Sequence, residues 1–402
     1  MNPNLWSFDL PIYAWAAVAA AVLAAIIILV ILIPRCRAIV MASRQGSEAT
    51  PILDAADYPG VTVVIYARDD AATLPQLIRD IYAQDYPGEV EVVVVCDLSG
   101  YDTADVDAAG ALQTDYPSLR VTYIPAHSRS LSRKKLAVTL GVKAARQPFV
   151  AMTCGNCIIP SANWLRNMMT HTALGRRVVV GFSTMRDADG GPGPRPMLRG
   201  FDSVWQSVRT MGSALKGHPH RATGNNLVYA RDLFFANQGF ASSLNLKYGD
   251  DDLFVNEIAD GKNTAVELSA TSIVEVREKN PVRAHRMERL RRDFTARYLP
   301  KAPYLVMGLM SSMWWVWLVA SAAAVIAALP SLVTACAVVV VALALCIPVM
   351  VWWRRTAKVL NAPAAACVTA PLLMLWHPLY DLTYRLRGLR HRRENYTWGI
   401  QK

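Results

Sequence analysis

Apolar positions along this chain follow two regimes. Residues 12 to 33 (IYAWAAVAAAVLAAIIILVILI) carry no charge, and at a rise of about 1.5 Å per residue such a helix crosses a hydrocarbon core of about 30 Å. Two more uncharged stretches, 304–329 and 331–353, are separated only by Pro330 and its neighbours, a pattern that predicts a tight helical hairpin of two further spans. Between these regimes the period changes. From Val61 the segments VTVVIYA, AATLPQLIRDIYAQ, VEVVVVCD, LRVTYIPA, SRKKLAVTLGVKAAR and PFVAMTC follow one another. Short β-branched runs interleaved with amphipathic stretches predict an α/β domain with a parallel, doubly wound sheet. The near-continuous valines predict central strands buried on both faces.

Charge changes this picture by setting a topology. Arg35, Arg37 and Arg44 follow the first span, Lys301 precedes the second, and Arg354, Arg355 and Lys358 follow the third. The positive-inside rule places all of them in the cytoplasm, with the N-terminus outside and residues 38–302 cytoplasmic. A fourth apolar stretch, 362–381, is interrupted by Pro363, Pro371 and Pro378 and has basic residues on both sides. It predicts a re-entrant or interfacial segment, the other reading being a fourth span, followed by a basic cytoplasmic tail, 384–402. The net charge of +11 sits mainly in these juxtamembrane segments, where it faces anionic membrane lipids, so nucleic acid is not the expected partner. Seven cysteines, three of them in membrane segments, make no disulfide framework.

Candidate chemistry gathers at strand ends, the edge where doubly wound sheets bind ligands. One strand ends in Arg68-Asp69-Asp70, the next in Asp97-Leu98-Ser99, and a third in Cys154-Gly155-Asn156-Cys157. No Walker or Rossmann glycine loop is present. Lys134 and Lys135 open a helical stretch where a cation beside backbone amides suits a phosphate, a solvated basic turn being the plainer reading. Asp250, Asp251 and Asp252 are consecutive. Like charges this close raise at least one pKa and keep a carboxylate basic enough to take a proton, although an Asp-rich helix start has the same pattern. The arginine-rich stretch HRMERLRRDFTARY before the second span suits either a membrane surface or a polyphosphate.

Taken together, the order of these parts resembles the membrane-bound family 2 glycosyltransferases, relatives of cellulose, hyaluronan and chitin synthases. The likeness runs over about residues 55–300 and is closest to shorter bacterial members with one N-terminal and a few C-terminal spans. It implies a GT-A nucleotide-sugar-binding domain with a doubly wound mixed sheet, flanked by transmembrane helices in a bacterial-type inner (plasma) membrane. In VTVVIYARDDAATL, Tyr66 and Ala67 fall beside the nucleobase, and Asp97 falls where the family has an acid that reads the base. Lys134 matches the basic residue near the diphosphate. TGNNLVYARDLFFANQGF is similar to the family's acceptor-side stretch and brings Gly224 and Asn226 there, with Asp252. In GDDDLF, Asp251 takes the position of the catalytic base and Asp250 that of its acidic neighbour. The implied reaction is an inverting displacement in which Asp251 deprotonates an acceptor hydroxyl while the nucleoside diphosphate leaves.

Two motifs depart from the family pattern. Its Q-x-x-R-W corresponds to Glu288-Arg-Leu-Arg291-Arg292, which keeps Arg291, loses the tryptophan stacking surface and places Arg292 beside the diphosphate. Its D-A-D-C-x-x-P-x-x-W-L corresponds to the stretch containing Cys154, Asn156, Cys157, Pro160, Trp164 and Leu165, so the frame is kept and both metal-associated acids are gone. Three outcomes are open: a divalent cation (Mg or Mn) held by Asn156, phosphates and water; replacement of the ion by Lys134, Arg291 and Arg292; or a degenerate homologue that binds nucleotide-sugar as a scaffold among glycan assembly proteins. Redox or zinc chemistry at CGNC is a further reading, with zinc lacking a second C-x-x-C. The expected partners are a nucleotide-diphosphate sugar and a lipid-linked or membrane-proximal glycan acceptor.

Overall fold

The computed structural model describes residues 11–48, 53–191, 195–329, 331–362 and 369–390. The runs read as strands form β1 (Val61–Ala67), β2 (Val90–Asp97), β3 (Leu119–Ile124) and β4 (Phe149–Cys154), and the amphipathic stretches between them form α2 (Leu74–Tyr82), α3 (Ala104–Gly110) and α4 (Arg133–Ala144). Past β4 come β5 (Cys157–Ile158), α5 (Trp164–Ala173), β6 (Val178–Val180), β7 (Ser183–Asp187), α6 (Pro196–Ala214), β8 (Leu227–Ala230), α7 (Arg231–Ala236), α8 (Asp252–Ile258), β9 (Thr264–Val266), β10 (Val274–Glu278) and α9 (Pro281–Thr295).

Seven strands form the main sheet in the order β3-β2-β1-β4-β8-β6-β9. The first four are parallel, as their interleaved helices require, while β8 runs antiparallel to both β4 and β6. The sheet is therefore mixed, as the resemblance to GT-A domains implies. Its order reverses between β1 and β4, and the crevice beyond their carboxyl ends is where ligands of such sheets bind. A second sheet, β5-β10-β7, continues directly from the turn after β4.

Three helices among the described residues are long and apolar enough to cross a membrane: α1 (Ile12–Glu48), over its first part, α10 (Ala302–Ala328) and α11 (Leu332–Val359). Pro330, the expected break between the last two, lies outside the described residues. α1 continues beyond the predicted 12–33, and its buried Cys36, Ile39 and Val40 carry it from the membrane layer down onto α6. One contiguous apolar core then runs from Val93 and Val95 on the sheet through Trp205 on α6 to Trp314 and Trp353 on the membrane helices. Such continuity fixes the sheet rigidly against the bundle.

The segment expected at 362–381 forms a helix later than predicted, α12 (Ala370–Arg390), while residues 363–368 and the end of the basic tail, 391–402, lie outside the described residues. α12 is not among the three membrane-length helices. Met374 and His377 are buried against the domain, whereas Leu372, Leu379, Leu382 and Leu386 are at least half exposed.

Candidate active site

The strand ends meet as their sequence positions suggested. Tyr66 is in register with Cys154 across β1 and β4, and the Gly155 N–H donates to the Tyr66 carbonyl at 2.8 Å. Asp70 folds back onto this turn, its Oδ2 accepting from the Arg68 N–H at 2.9 Å. A Cβ at position 155 would stand 2.7 Å from that Oδ2, so only glycine fits. Burial, reinforced by Cys154, Asp105 and Asp69 and opposed by the Arg68 N–H, pushes the Asp70 carboxyl up to about 7.

At the end of β2 the Asp97 carboxylate is fully engaged. It accepts from Arg133 Nε at 2.6 Å, the Tyr66 hydroxyl at 2.9 Å and the Ser99 N–H at 3.0 Å. Burial works against its charge, but these three donors hold it below the usual carboxylate range. Arg133 is a residue that the sequence reading missed. It precedes Lys134 in the first turn of α4, and its side chain turns toward β2 while the next one turns toward the acid cluster.

That cluster is presented by Gly249, whose φ of 103° is left-handed and whose Cβ would collide with Leu253 at 2.5 Å. Asp250 is buried between Lys134 Nζ at 3.1 Å and Arg291 Nη2 at 3.5 Å. Asp251 caps α8: its Oδ1 accepts from the Asp252 N–H at 2.7 Å and its Oδ2 from the Gly224 N–H at 3.2 Å. Arg291 stacks over Tyr248 at 5.2 Å and reaches 4.0 Å from Asp251 Oδ2. These surroundings drive two adjacent carboxyls apart. Burial opposes charge on Asp250, but Lys134 and Arg291 hold it low; burial and the charges of Asp250 and Asp252 push Asp251 up, against Arg291 and Lys134. Divergent neighbours of this kind make one carboxyl a fixed charge and leave the other capable of proton transfer.

Around these groups lies a cavity of about 1020 Å³. It begins at Tyr66 and Arg68 on the strand edge, passes Lys134, Asp251 and Arg291, and continues between α6 and α9 to Asn361 and Ala362 at the foot of α11. Arg292 lines it too, tied to Glu288 one turn back. Several expected positions do not open onto it. Asn226 is wholly buried, donating to the Phe182 and Ser272 carbonyls at 2.8 Å each and accepting from Trp164 Nε1 at 3.0 Å. Its neighbour Asn225 lines the cavity instead. Asn226 therefore joins three elements of the core and has no polar atom left for an acceptor. Ala67 is buried beneath the edge. Asp252 borders the cavity but pairs with Arg221 at 2.9 Å and takes the Thr295 hydroxyl.

The turn after β4 bears on the metal question through its chemistry. The Cys154 thiol donates to Asn225 Oδ1 at 3.2 Å, and Cys154 and Cys157 are both free thiols. Asn156 Nδ2 donates to the Arg277 carbonyl and Glu278 Oε1, each at 3.2 Å, leaving a single neutral oxygen. A hard divalent cation requires anionic oxygens. A thiol and one amide carbonyl beside the Lys134 ammonium do not supply them, and these residues do not fit the ion.

Residues 59–191, from the approach to β1 to the end of β7, match the family described as Glycosyltransferase like family 2. This stretch of the chain is therefore similar to the family 2 glycosyltransferases. No curated protein matches the chain. Solved structures similar to this chain include a mannosyltransferase from Pyrobaculum calidifontis in complex with GDP-Man and Mn2+, 20% identical over 86% of this chain and 98% of that one, with a TM-score of 0.48. Others are TarS of S. aureus, 18% identical over 63% and 39% of the two chains with a TM-score of 0.39, and mannosyl-3-phosphoglycerate synthase from Rubrobacter xylanophilus, 14% identical over 62% and 74% with a TM-score of 0.36. The family match ends before Asp250 and α9. The roles of the acid cluster and the arginine helix accordingly rest on their geometry.

Proposed function

We propose that this protein is a glycosyltransferase that moves a sugar, with inversion, from a nucleoside-diphosphate sugar to a lipid-linked or membrane-proximal glycan acceptor, with Asp251 as general base. The observation that carries this reading is the single cavity joining the strand edge, where a nucleotide belongs, to the foot of α11, with Asp251 between the two ends. The donor occupies the Tyr66 and Arg68 end, and the acceptor enters along α6 and α9 from the membrane side. α12 lies in the membrane interface with its exposed leucines toward the acyl chains. The basic flanks support a cytoplasmic domain by the positive-inside rule, and the family resemblance supports a bacterial-type plasma membrane.

In the reaction, the Asp251 carboxylate takes the acceptor hydroxyl proton as that oxygen bonds to the anomeric carbon. The bond from this carbon to the β-phosphate oxygen breaks, and its electron pair leaves with the nucleoside diphosphate. The Gly224 N–H steadies Oδ2, the oxygen of Asp251 nearest Arg291. Lys134 and Arg291, with Asp250 between them, leave one net positive charge to meet the developing diphosphate, a preorganised interaction that needs no reorientation of water. Burial disfavours charge on Lys134, yet Asp250 keeps it protonated.

A second reading has one specific observation behind it: with Cys154 and Asn156 in place of acids, the chain serves as a nucleotide-sugar-binding scaffold of a glycan assembly complex. Both readings meet the same experiment. Membranes carrying the chain or its Asp251→Asn variant are supplied with a panel of radiolabelled nucleotide sugars and lipid or glycan acceptors. Transfer by the wild type alone supports catalysis; absence of transfer from every donor, with binding intact, supports the scaffold.

A further inference from the structure

The arginine helix α9 has two working faces. Arg291 and Arg292 face the cavity, whereas Arg289, about 200° around the helix from Arg291, is buried on the opposite side against α6 and α12. There it enters a buried ionic network. Asp202 of α6, 1% exposed, receives Arg289 Nη1 at 3.0 Å, His285 Nε2 at 3.0 Å and His377 Nε2 of α12 at 3.1 Å. The other guanidinium arm of Arg289 binds Asp381 of α12, which also lies 3.6 Å from His377 Nδ1. Tyr380 and Tyr384 bracket the guanidinium at 5.5 and 5.3 Å. Asp202, His377 and Asp381 approach one another as metal ligands do, but Arg289 already supplies the cation at their centre.

Holding these charges in a junction otherwise built from Phe201, Trp205 and Trp353 is costly, because buried ions lose hydration that apolar side chains of the same volume never had. What such a network gives in exchange is a unique orientation. Three helices can slide on an apolar seam, but they cannot do so while one guanidinium bonds carboxylates on two of them.

We infer that the Asp202–Arg289–Asp381 network is a positioning lock, by which α6 and α12 hold α9 from behind so that Arg291 meets Asp250 and the leaving diphosphate. Asp202, Arg289, His377 and Asp381 touch no reacting atom and act through the helix backbone between Arg289 and Arg291. The catalytic consequence rests on the function proposed above, whereas the lock itself is a property of the substrate-free protein.

The two are separated by reading hydrogen exchange first and turnover second, on the full chain in detergent. Asp381→Asn, whose side chain is 25% exposed and therefore replaceable, should speed exchange of the amides at 289–295 by about tenfold, in keeping with the coupling energies of such networks. Amides of β1, β2 and α10 should keep their wild-type rates. His377→Gln should give a smaller acceleration of the same segment, and Asp381→Glu should restore protection. With the donor found in the panel, Asp381→Asn should lower kcat by about tenfold while KM for the acceptor stays within about twofold, and Asp381→Glu should recover kcat. Unchanged exchange at 289–295 in both Asp381→Asn and His377→Gln overturns the lock, as does an acceleration spread evenly over the sheet. Absence of any transfer by the wild type overturns the proposed function and leaves the exchange result to decide the lock.

Discussion

The backbone of Gly224 donates to the Asp251 carboxylate at 3.2 Å, so the start of the stretch read as acceptor-side and the candidate base are one unit. The base is neither loose in solvent nor paired with a cation at contact distance, since Arg291 stands 4.0 Å off. A carboxylate in this position keeps the basicity that burial and its acidic neighbours give it. Asp251→Asn should therefore reduce kcat by about 10²- to 10⁴-fold, the range for a general base, while nucleotide-sugar affinity stays near the wild-type value. Steady-state rates paired with equilibrium binding decide this. Loss of affinity in place of rate would reassign Asp251 to donor binding.

The raised pKa of Asp251 also sets the sign of the pH dependence. The reactive form is the carboxylate, so kcat/KM should climb as pH rises through the Asp251 pKa and then level off. The acid limb should sit above the ordinary carboxylate range because burial and the flanking carboxylates favour the protonated form. A pH-rate profile from 4 to 8 checks it. In Lys134→Ala the limb should move further up, since that cation opposes the rise.

How much of this was legible in the sequence depended on whether the relevant physics is local. β1 and β2 match the quoted valine runs end to end because periodicity and β-branching are local properties. Lys134, Asp250, Asp251 and Arg291 were nominated from motifs, and the fold places them within a few ångströms of one another. Asn226 was misplaced because a motif gives a position and not the direction of a side chain. Only the packing of Trp164, Phe182 and Ser272 around it shows that it faces inward. Arg133 was passed over because adjacent cations in one helical turn are indistinguishable until β2 and Gly249 fix which carboxylate each one meets.

Lys134 and Arg291 share Asp250, so removing either cation has two effects. The diphosphate loses a preorganised charge, and Asp250 is left with a buried negative charge satisfied on one side only. Lys134→Ala and Arg291→Ala should each lower kcat by about 10²- to 10³-fold, as loss of a charge-stabilising donor does, and each should also lower Tm. Asp250→Asn paired with Lys134→Ala should recover much of the Tm and none of the rate. Thermal unfolding and turnover of the single and double variants separate these effects, and a rate that recovers along with Tm would show that Lys134 acts through stability alone.

Asp70 offers a stability test free of catalysis. Its folded pKa of about 7 lies above the model-peptide value of 3.8, so the folded state binds the extra proton between these limits. The stability linked to this site is fully present below about pH 4 and is lost as pH rises through about 7. Asp70→Asn cannot ionise and its side-chain oxygen can still accept from the Arg68 N–H. Its Tm should exceed that of the wild type at pH 8, with the gap shrinking toward pH 5. A gap that widens on acidification would mean that Asp70 is a stabilising carboxylate.

The turn at Cys154 and Asn156 leads to the final prediction. A metal-dependent transferase places anionic oxygens beside the diphosphate, and the ion's charge offsets that of the leaving group. Here the corresponding atoms are a thiol and an amide, and the positive charge is already supplied by Lys134 and Arg291. Transfer should consequently be the same, within about twofold, in excess chelator and in millimolar manganese, since neither Cys154 nor Asn156 offers the ion an oxyanion. Restoring both acids inverts the situation: Cys154→Asp with Asn156→Asp adds two negative charges next to Lys134, which lowers its net positive field on the diphosphate. The double variant should be slow in chelator and accelerated by manganese. If chelation stops the wild type, an ion is being held by donor phosphates and Asn156, and Lys134 and Arg291 then assist the ion and do not replace it.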